Sequence, residues 1–268
     1  MGQTASDIGT VRPDRVTVEG PDNLIEANAS VMLDGGVEVA GRGNRLSFGQ
    51  NVRLERYAPA GFAATVPDIG VRRDIALIVE GDDNVVEVAD DVRLAMNIVV
   101  RGRNNHIRIE RGCYLHGFGN LITDGATLTV GAGTTMVQGS IQLHEPVTVT
   151  IGKDCMISSQ VYISVSDIHP IYDRETGARI NPARPVEIGD HVWLGLRAMV
   201  LKGARIGEGA VLAAGTLVSG EVPARSIVAG SPARVMRRNV DWRRDLGAET
   251  IAAVPAKPVS RRWWPFGR

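Results

Sequence analysis

The sequence predicts an all-β fold, a solenoid of short parallel strands, and three observations carry that prediction. Aliphatic residues recur every six positions at Ile151, Ile157 and Ile163, and again at Ile188, Leu194, Val200, Ile206, Leu212 and Val218. A looser Gly-x-x-Asn frame repeats in the N-terminal half: GPDNLIEA from Gly20, GRGNRLSF from Gly41, GDDNVVEV from Gly81 and GRNNHIRI from Gly102. One stretch after residue 164 keeps neither rhythm.

Within the first 19 residues, read as an N-terminal extension, MGQTASDIGTVRPD is polar and lacks the apolar run of a signal peptide. MGQTAS fits the loose myristoylation pattern, which is short enough to arise by chance and is read that way. In the frame that follows, the starts of the first pair and of the last pair lie 21 apart, with a middle step of 40. The frame continues in TDGATLTV from Thr123 and HEPVTVTI from His144. Asn after Gly-x-x suits a turn that needs a positive φ or an Asx bond. The alternation that closes each unit reads as a strand.

The hexads come next. With aliphatics at roughly a quarter of positions, six in a row at one phase has chance odds on the order of one in a few thousand. An α-helix, at about 3.6 residues per turn, would smear a period of six around its circumference. A coil in which each hexad supplies one strand and one turn keeps every sixth side chain inside. Gly152, Gly189, Gly195 and Gly207 follow the aliphatics, and Ala213, Ala214 and Gly215 let the chain bend. Stacked coils then pair as parallel strands, each burying its neighbour. One solenoid is expected over residues 20 to 235, with no Pro- or Ser-rich linker dividing it.

The interruption is SVSDIHPIYDRETG, residues 164 to 177. The next frame would start near residue 165, and the strand PVEIG restores it only from about 181, an excess of about 16 residues. This predicts a protruding loop over 166–183, stiffened in or beside it by Pro170, Pro182 and Pro185. Loops inserted at solenoid turns often carry function, and this one holds a histidine, three acids and an arginine. Residues 236 to 268 leave the repeat. DWRRDLGAETIAAV is expected to form a short helix capping the last coil. For PAKPVSRRWWPFGR a membrane or partner contact and an unstructured terminus both stand open.

The bulk numbers narrow the function. The 268 residues are 44% hydrophobic but only 4% aromatic, so small and aliphatic side chains must fill the core. Thirty basic and 30 acidic residues balance, which removes any general electrostatic case for nucleic acid. Cys113 and Cys155 lie far apart and in no metal-ligand spacing, so they read as buried thiols of a cytoplasmic protein. No apolar run approaches a membrane span.

The segments IGKDCMISSQVYI, IGDHVWLGLRAMVLKGARIGEGAVLAAGTLV and VPARSIVAGSPARVMRR resemble the hexapeptide-repeat acyltransferases. SDIHPIYDRETGARINPARPVEIGDHVWLG is similar to the polysaccharide and sugar O-acetyltransferases of that group, and the likeness is specific over residues 144 to 238. The resemblance implies a single-stranded left-handed parallel β-helix; handedness rests on it alone, since crossovers are generally right-handed. It also implies a homotrimer with active sites between neighbouring prisms, acetyl-CoA as donor, and a saccharide hydroxyl as acceptor, with no metal required.

By that resemblance His169, in HPI, matches the catalytic base. The chemistry agrees: an alcohol attacking a thioester must lose its proton, and imidazole is suited to take it. The bland alternative is a histidine capping a turn. Asp167 stands two residues earlier and is a candidate to orient His169 as a triad carboxylate does; a solvated or turn-capping aspartate, and a backbone carbonyl orienting the ring, stand equally open. His144 and Glu145 sit one coil before the loop at the matching turn, where stacking should bring them to its root; relatives place acceptor contacts there. Leu196, Ala214, Ser219 and Gly220 match the wall along which pantetheine lies, and Arg234 and Arg237 match residues meeting the nucleotide phosphates. Many relatives have Thr-Lys where this chain has Ser219-Gly220, so Lys202 and Arg225 are weighed as substitute cations. His191 reads as structural on the coil wall, Trp193 as a corner residue or cleft lining, and His106 and His116 as surface positions.

Two other enzyme readings and one non-enzymatic reading stand beside O-acetylation. The acceptor can be an amine, as in an amino sugar. A zinc lyase on the same prism needs three convergent histidines, and neither His106 with His116 nor His169 with His191 has the spacing. A non-catalytic trimeric scaffold would leave the His169 loop without a purpose.

Overall fold

A computed structural model describes residues 15–57 and 74–246. Residues 58–73, the MGQTAS pattern and the RRWWPFGR tail lie outside those residues. Strands and turns alternate throughout, with no helix among the described residues. Each coil crosses three faces in turn. One face is the 9-stranded parallel sheet from Leu24–Ala27 to Glu221–Val222. The other two are joined as one sheet, because four nine-residue strands, such as Tyr114–Ile122 and Met156–Ser164, run continuously round their shared corner.

Register confirms the frame read from sequence. Leu24 pairs with Arg45, Arg45 with Val85, Val85 with His106, His106 with Thr127 and Thr127 with Thr148. The following step runs from Val149 to Val186, 37 residues against the 21 between Leu128 and Val149, which locates the predicted excess of 16 at the loop. Beyond it the coils shorten to 18 residues, Ile188 to Ile206, which is three hexads. The nine hexad aliphatics are all at most 4% exposed. Each contributes about 1.5–3 kcal/mol by leaving water. Cys113 and Cys155 are buried free thiols within the same column, with pKa values raised by burial to about 11.

The Gly-x-x-Asn units form one corner. Glycine is obligatory there, since Gly81 has φ 125° and a Cβ on it would stand 2.0 Å from the Gly102 carbonyl oxygen. The asparagines do not take the positive φ; the preceding residues, Asp22, Gly43, Asp83 and Asn104, do. Asn44, Asn84 and Asn105 are instead buried in a ladder, each side-chain amide donating to the Oδ1 of the asparagine in the coil before at 2.9–3.0 Å. Asn44 and Asn84 also donate to the carbonyls of Gly81 and Gly102.

Two boundaries differ from expectation. Strand Val16–Glu19 already pairs with Gly36–Ala40, so the solenoid starts inside the segment read as an extension. At the other end Arg234–Arg238 folds back antiparallel on Ser226–Ala229. The expected capping helix is absent from its described part: residues 241–246 are not helical, and the rest of that segment lies outside the described residues. That segment instead lies along the side of earlier coils. Trp242 stacks on His191 with ring centroids 4.1 Å apart and donates from Nε1 to its carbonyl, while Arg244 reaches Asp154, Thr135 and the Cys155 carbonyl.

Candidate functional site

The loop leaves the column at the corner that the asparagine ladder closes further down. The ladder stops where Ala126 and then Val147 occupy the asparagine position; the Ala126 N–H caps its last Oδ1. One coil later the chain departs at Val165 and returns at Arg184, whose N–H donates to the Val165 carbonyl. A bridge between Tyr172 and Arg179 folds the excursion into a hairpin, closed by a turn in which the Asp173 carboxylate accepts from the amides of Glu175 and Thr176.

Stacking brings Glu145 to the root of this loop, as its position in the frame requires. Its carboxylate accepts two parallel bonds from Arg179, both at 2.7 Å, and one from the Ser166 hydroxyl at 2.5 Å. The Arg179 guanidinium, ahead of the Ser166 bond, holds the carboxyl down at about 2. Both carboxylate oxygens are thus engaged within the chain. His144 beside it is half-buried, and burial pushes its imidazole below the ordinary pKa. Asn120 donates to Gln142 Oε1, and Gln142 spends an N–H on Ser140, so His144 Nε2 is the donor to Gln142 Oε1 and Nδ1 keeps its lone pair.

His169 is exposed, and its ring makes no hydrogen bond to a described residue. Its backbone is the unusual part. The His169 N–H closes a three-residue turn on the Asp167 carbonyl at 2.7 Å, and Ile168 between them has φ 67°. A β-branched residue in that region is a true outlier, with a cost of order 1–3 kcal/mol. The Asp167 carboxylate is engaged away from the imidazole: its Oδ2 accepts from Lys202 Nζ and from Asn181 Nδ2. Those two donors hold the Asp167 carboxyl below its ordinary pKa. Lys202 is therefore a partner of the loop rather than a spare cation, and Arg225 is paired with Glu208.

The residues expected to meet the donor lie on the short coils beyond the loop. Leu196 and Ala214 are stacked, both exposed, at one corner, with the Gly215 N–H bonded to the Leu196 carbonyl. Ser219 and Gly220 stand at the next corner and, with Pro232 and Arg234, line a shallow cavity of about 220 Å³. A Cβ built on Gly215 or Gly220 meets nothing within 4 Å, so the wall is open there. Arg234 and Arg237 are exposed on the returning strand. Small residues, an open wall and exposed guanidinium groups suit an extended thiol ester with phosphates at one end. A larger open concavity, about 1160 Å³, runs along Glu26, Glu87 and Arg108 and contains none of the candidate residues.

His191 is structural, bonded through Nδ1 to Asp154 and through Nε2 to the Trp242 carbonyl. Trp193 is 37% exposed and tilts against Trp242. His106 pairs with Glu87, and His116 bonds the Val137 carbonyl. Among the described residues no group of three His, Cys, Asp or Glu is placed to hold a metal. Sequence reasoning missed Arg179, Asn181 and Ser166; Arg179 and Asn181 sit in ARINPARP, inside the predicted loop, but the partners that fix them there are 10 to 34 residues away.

Comparison with known proteins agrees with this geometry. The family described as "Hexapeptide repeat of succinyl-transferase" matches residues 185–219. The polysialic acid O-acetyltransferase of Escherichia coli O1:K1 / APEC is 35% identical over 147 residues, 55% of this chain and 48% of that protein. The chain thus spans about half the length of that relative. A protein of Escherichia coli K12 described as a lipopolysaccharide biosynthesis O-acetyl transferase, WbbJ, is 31% identical over 149 residues, 47% of this chain and 76% of its own. Among solved structures, the polySia-specific acetyltransferase NeuO superposes with a TM-score of 0.59 at 29% identity, over 88% of this chain and 93% of that one.

Proposed function

The chain belongs to the hexapeptide-repeat acyltransferases, and from that premise we propose that it transfers the acetyl group of acetyl-CoA to a saccharide hydroxyl in surface polysaccharide synthesis or modification. Its column is the left-handed parallel β-helix of that family. The observation that carries the proposal is a loop braced at its root by Glu145 and Arg179 that presents His169 on a strained turn. The likeness to polysialic acid O-acetyltransferases, over 55% of this chain in sequence and 88% in structure, supports a saccharide acceptor.

In this reading the His169 imidazole takes the proton of the acceptor hydroxyl as its oxygen attacks the acetyl carbon. A tetrahedral intermediate forms; it collapses with cleavage of the C–S bond, and the imidazolium returns the proton to the departing sulfur. Ester and free CoA result, with no covalent enzyme intermediate. His144, with its Nδ1 lone pair free, contributes an acceptor for a sugar hydroxyl at the loop root. Leu196, Ala214, Ser219 and Gly220 line the pantetheine path, and Arg234 and Arg237 take the phosphates. A cavity of about 220 Å³ is too small to enclose such a donor, which supports a homotrimer whose neighbouring copy supplies the second wall. Free buried thiols support a cytoplasmic location.

The test incubates the protein with labelled acetyl-CoA and a panel of acceptors: polysialic acid, neutral polysaccharides, lipid-linked sugars and amino sugars. The expected product is a base-labile ester on a polysaccharide, formed about 10²–10⁴ times more slowly by His169→Ala. A base-stable amide on an amino sugar would favour N-acetylation. Transfer unaffected by His169→Ala, or absent from the parent, overturns the assignment.

A further inference from the structure

We propose that Asn181, supported by Lys202, is the positioning residue for His169: its side-chain amide, rather than the Asp167 carboxylate alone, sets where the imidazole sits. The inference rests on the acetyl-transfer reading and adds a residue that the sequence did not single out.

A side-chain amide offers two N–H donors and one carbonyl acceptor, and Asn181 directs all three into the turn that carries His169. Nδ2 donates to Asp167 Oδ2 at 2.8 Å and to the His169 carbonyl at 2.9 Å, one on either side of Ile168. Oδ1 accepts from the Ile171 N–H at 2.6 Å, two residues beyond the histidine. The residue is 8% exposed, whereas the groups it bonds stand on an exposed turn, so losing the amide frees the turn rather than leaving unsatisfied groups buried.

Asn181 is itself fixed from two levels of the column. Its backbone carbonyl accepts from Lys202 Nζ at 3.1 Å and from Arg179 Nη2 at 3.3 Å. Lys202 stands at the same corner one coil above, where it also neutralises Asp167, and Arg179 is anchored to Glu145 one coil below. The turn at Ile168 would relax if released, because its φ of 67° is unfavourable for a β-branched residue. The amide holds both ends of that turn. A displacement of the ring by about 1 Å is enough to cost roughly 10²-fold in rate.

The decisive variant is Asn181→Asp, which keeps the shape and the acceptor for Ile171 but removes both donors and sets a carboxylate against Asp167. We expect kcat to fall by about 30–100-fold, with KM for acetyl-CoA within about twofold of the parent. The ratio of variant to parent kcat should rise as pH falls, because a protonated carboxyl regains a donor. The reciprocal exchange Asp167→Asn with Asn181→Asp should recover at least about tenfold by restoring one donor–acceptor pair. Independently of activity, Asn181→Ala should raise hydrogen exchange across residues 168–171 by at least about tenfold with the unfolding midpoint little changed. A pH-independent ratio with no recovery in the exchange pair marks a merely structural role and overturns the assignment, as does unchanged hydrogen exchange. Faster exchange in Asn181→Ala together with a parent that transfers no acetyl group would sink the acetyl-transfer reading while leaving the clamp in place.

Discussion

One corner of the column is closed in two ways at two heights. In the first coils Asn23, half-buried, and Asn44, Asn84 and Asn105, buried, link turn to turn through their side-chain amides, and each turn has only the residues it needs. Further along, where Ala126 and Val147 replace the asparagine, the same corner opens into the loop of His169. The chemistry that closed the lower corner reappears inside the loop, because Asn181 again buries an amide that ties backbone to neighbouring side chain. The difference is what each amide holds. The ladder holds coils to one another, whereas Asn181 holds one strained turn against the column. Identical hydrogen-bonding groups therefore contribute to global stability in one place and to local placement in the other.

That contrast can be broken by substitution. His169→Ala should lower acetyl transfer by about 10²–10⁴, the range of positioned general-base catalysis, and leave the unfolding midpoint unchanged, since the ring is exposed and unbonded. Asn84→Ala should do the reverse. It leaves the Gly102 carbonyl and both Asn105 donors without partners in a buried corner, at about 1–3 kcal/mol for each unsatisfied group. We expect about 3–5 kcal/mol of lost stability by urea unfolding, with kcat of the folded fraction retained. Equal effects of the two substitutions on both readouts would erase the distinction.

A smaller effect follows from Glu145. Its pKa is depressed in the folded chain to about 2 from 4.5, so its pair with Arg179 stabilises the fold fully above pH 4.5. That contribution, on the order of 2 kcal/mol, is lost as pH falls from 4.5 toward 2. Unfolding midpoints measured over this window should converge for the parent and Glu145→Gln. A constant gap between them would assign the acid response elsewhere. The smallest effect sharpens the role of Lys202. Lys202→Met should lower kcat by about tenfold, as one of several supports of the loop, and leave KM for acetyl-CoA within about twofold. Arg234→Ala should instead raise that KM by about tenfold, the worth of one charge-assisted phosphate contact. A Lys202→Met variant that raises KM alone would return the lysine to the donor site.

The repeating parts of this molecule were legible because each repeat reports on the same environment. Ile188, Leu194 and Val200 declare an inward direction by spacing alone, and burial of every hexad aliphatic follows from the same geometry. The length of the interruption at SVSDIHPIYDRETG was readable for the same reason, since a fixed period exposes any surplus. The role of the asparagines was only half legible. Their place in the turn frame was clear, but their partners lie 21 or 40 residues away and become neighbours only when coils stack. The partner of Asp167 was not legible: it is the nearest acid to His169 in the chain, but Lys202, 35 residues on, reaches it from the coil above.

By itself, then, the order of residues determined a solenoid of parallel strands, its inward rows, the site of its one described loop and the imidazole within it, because period and surplus are one-dimensional properties. Folding in three dimensions decided the rest: which side of the His169 turn is held, that Glu145 faces Arg179 within its own chain, and that Lys202 serves the loop. The physical reason is that a hydrogen bond requires approach to within about 3 Å, and for irregular chain no periodicity says which distant residues will come that close.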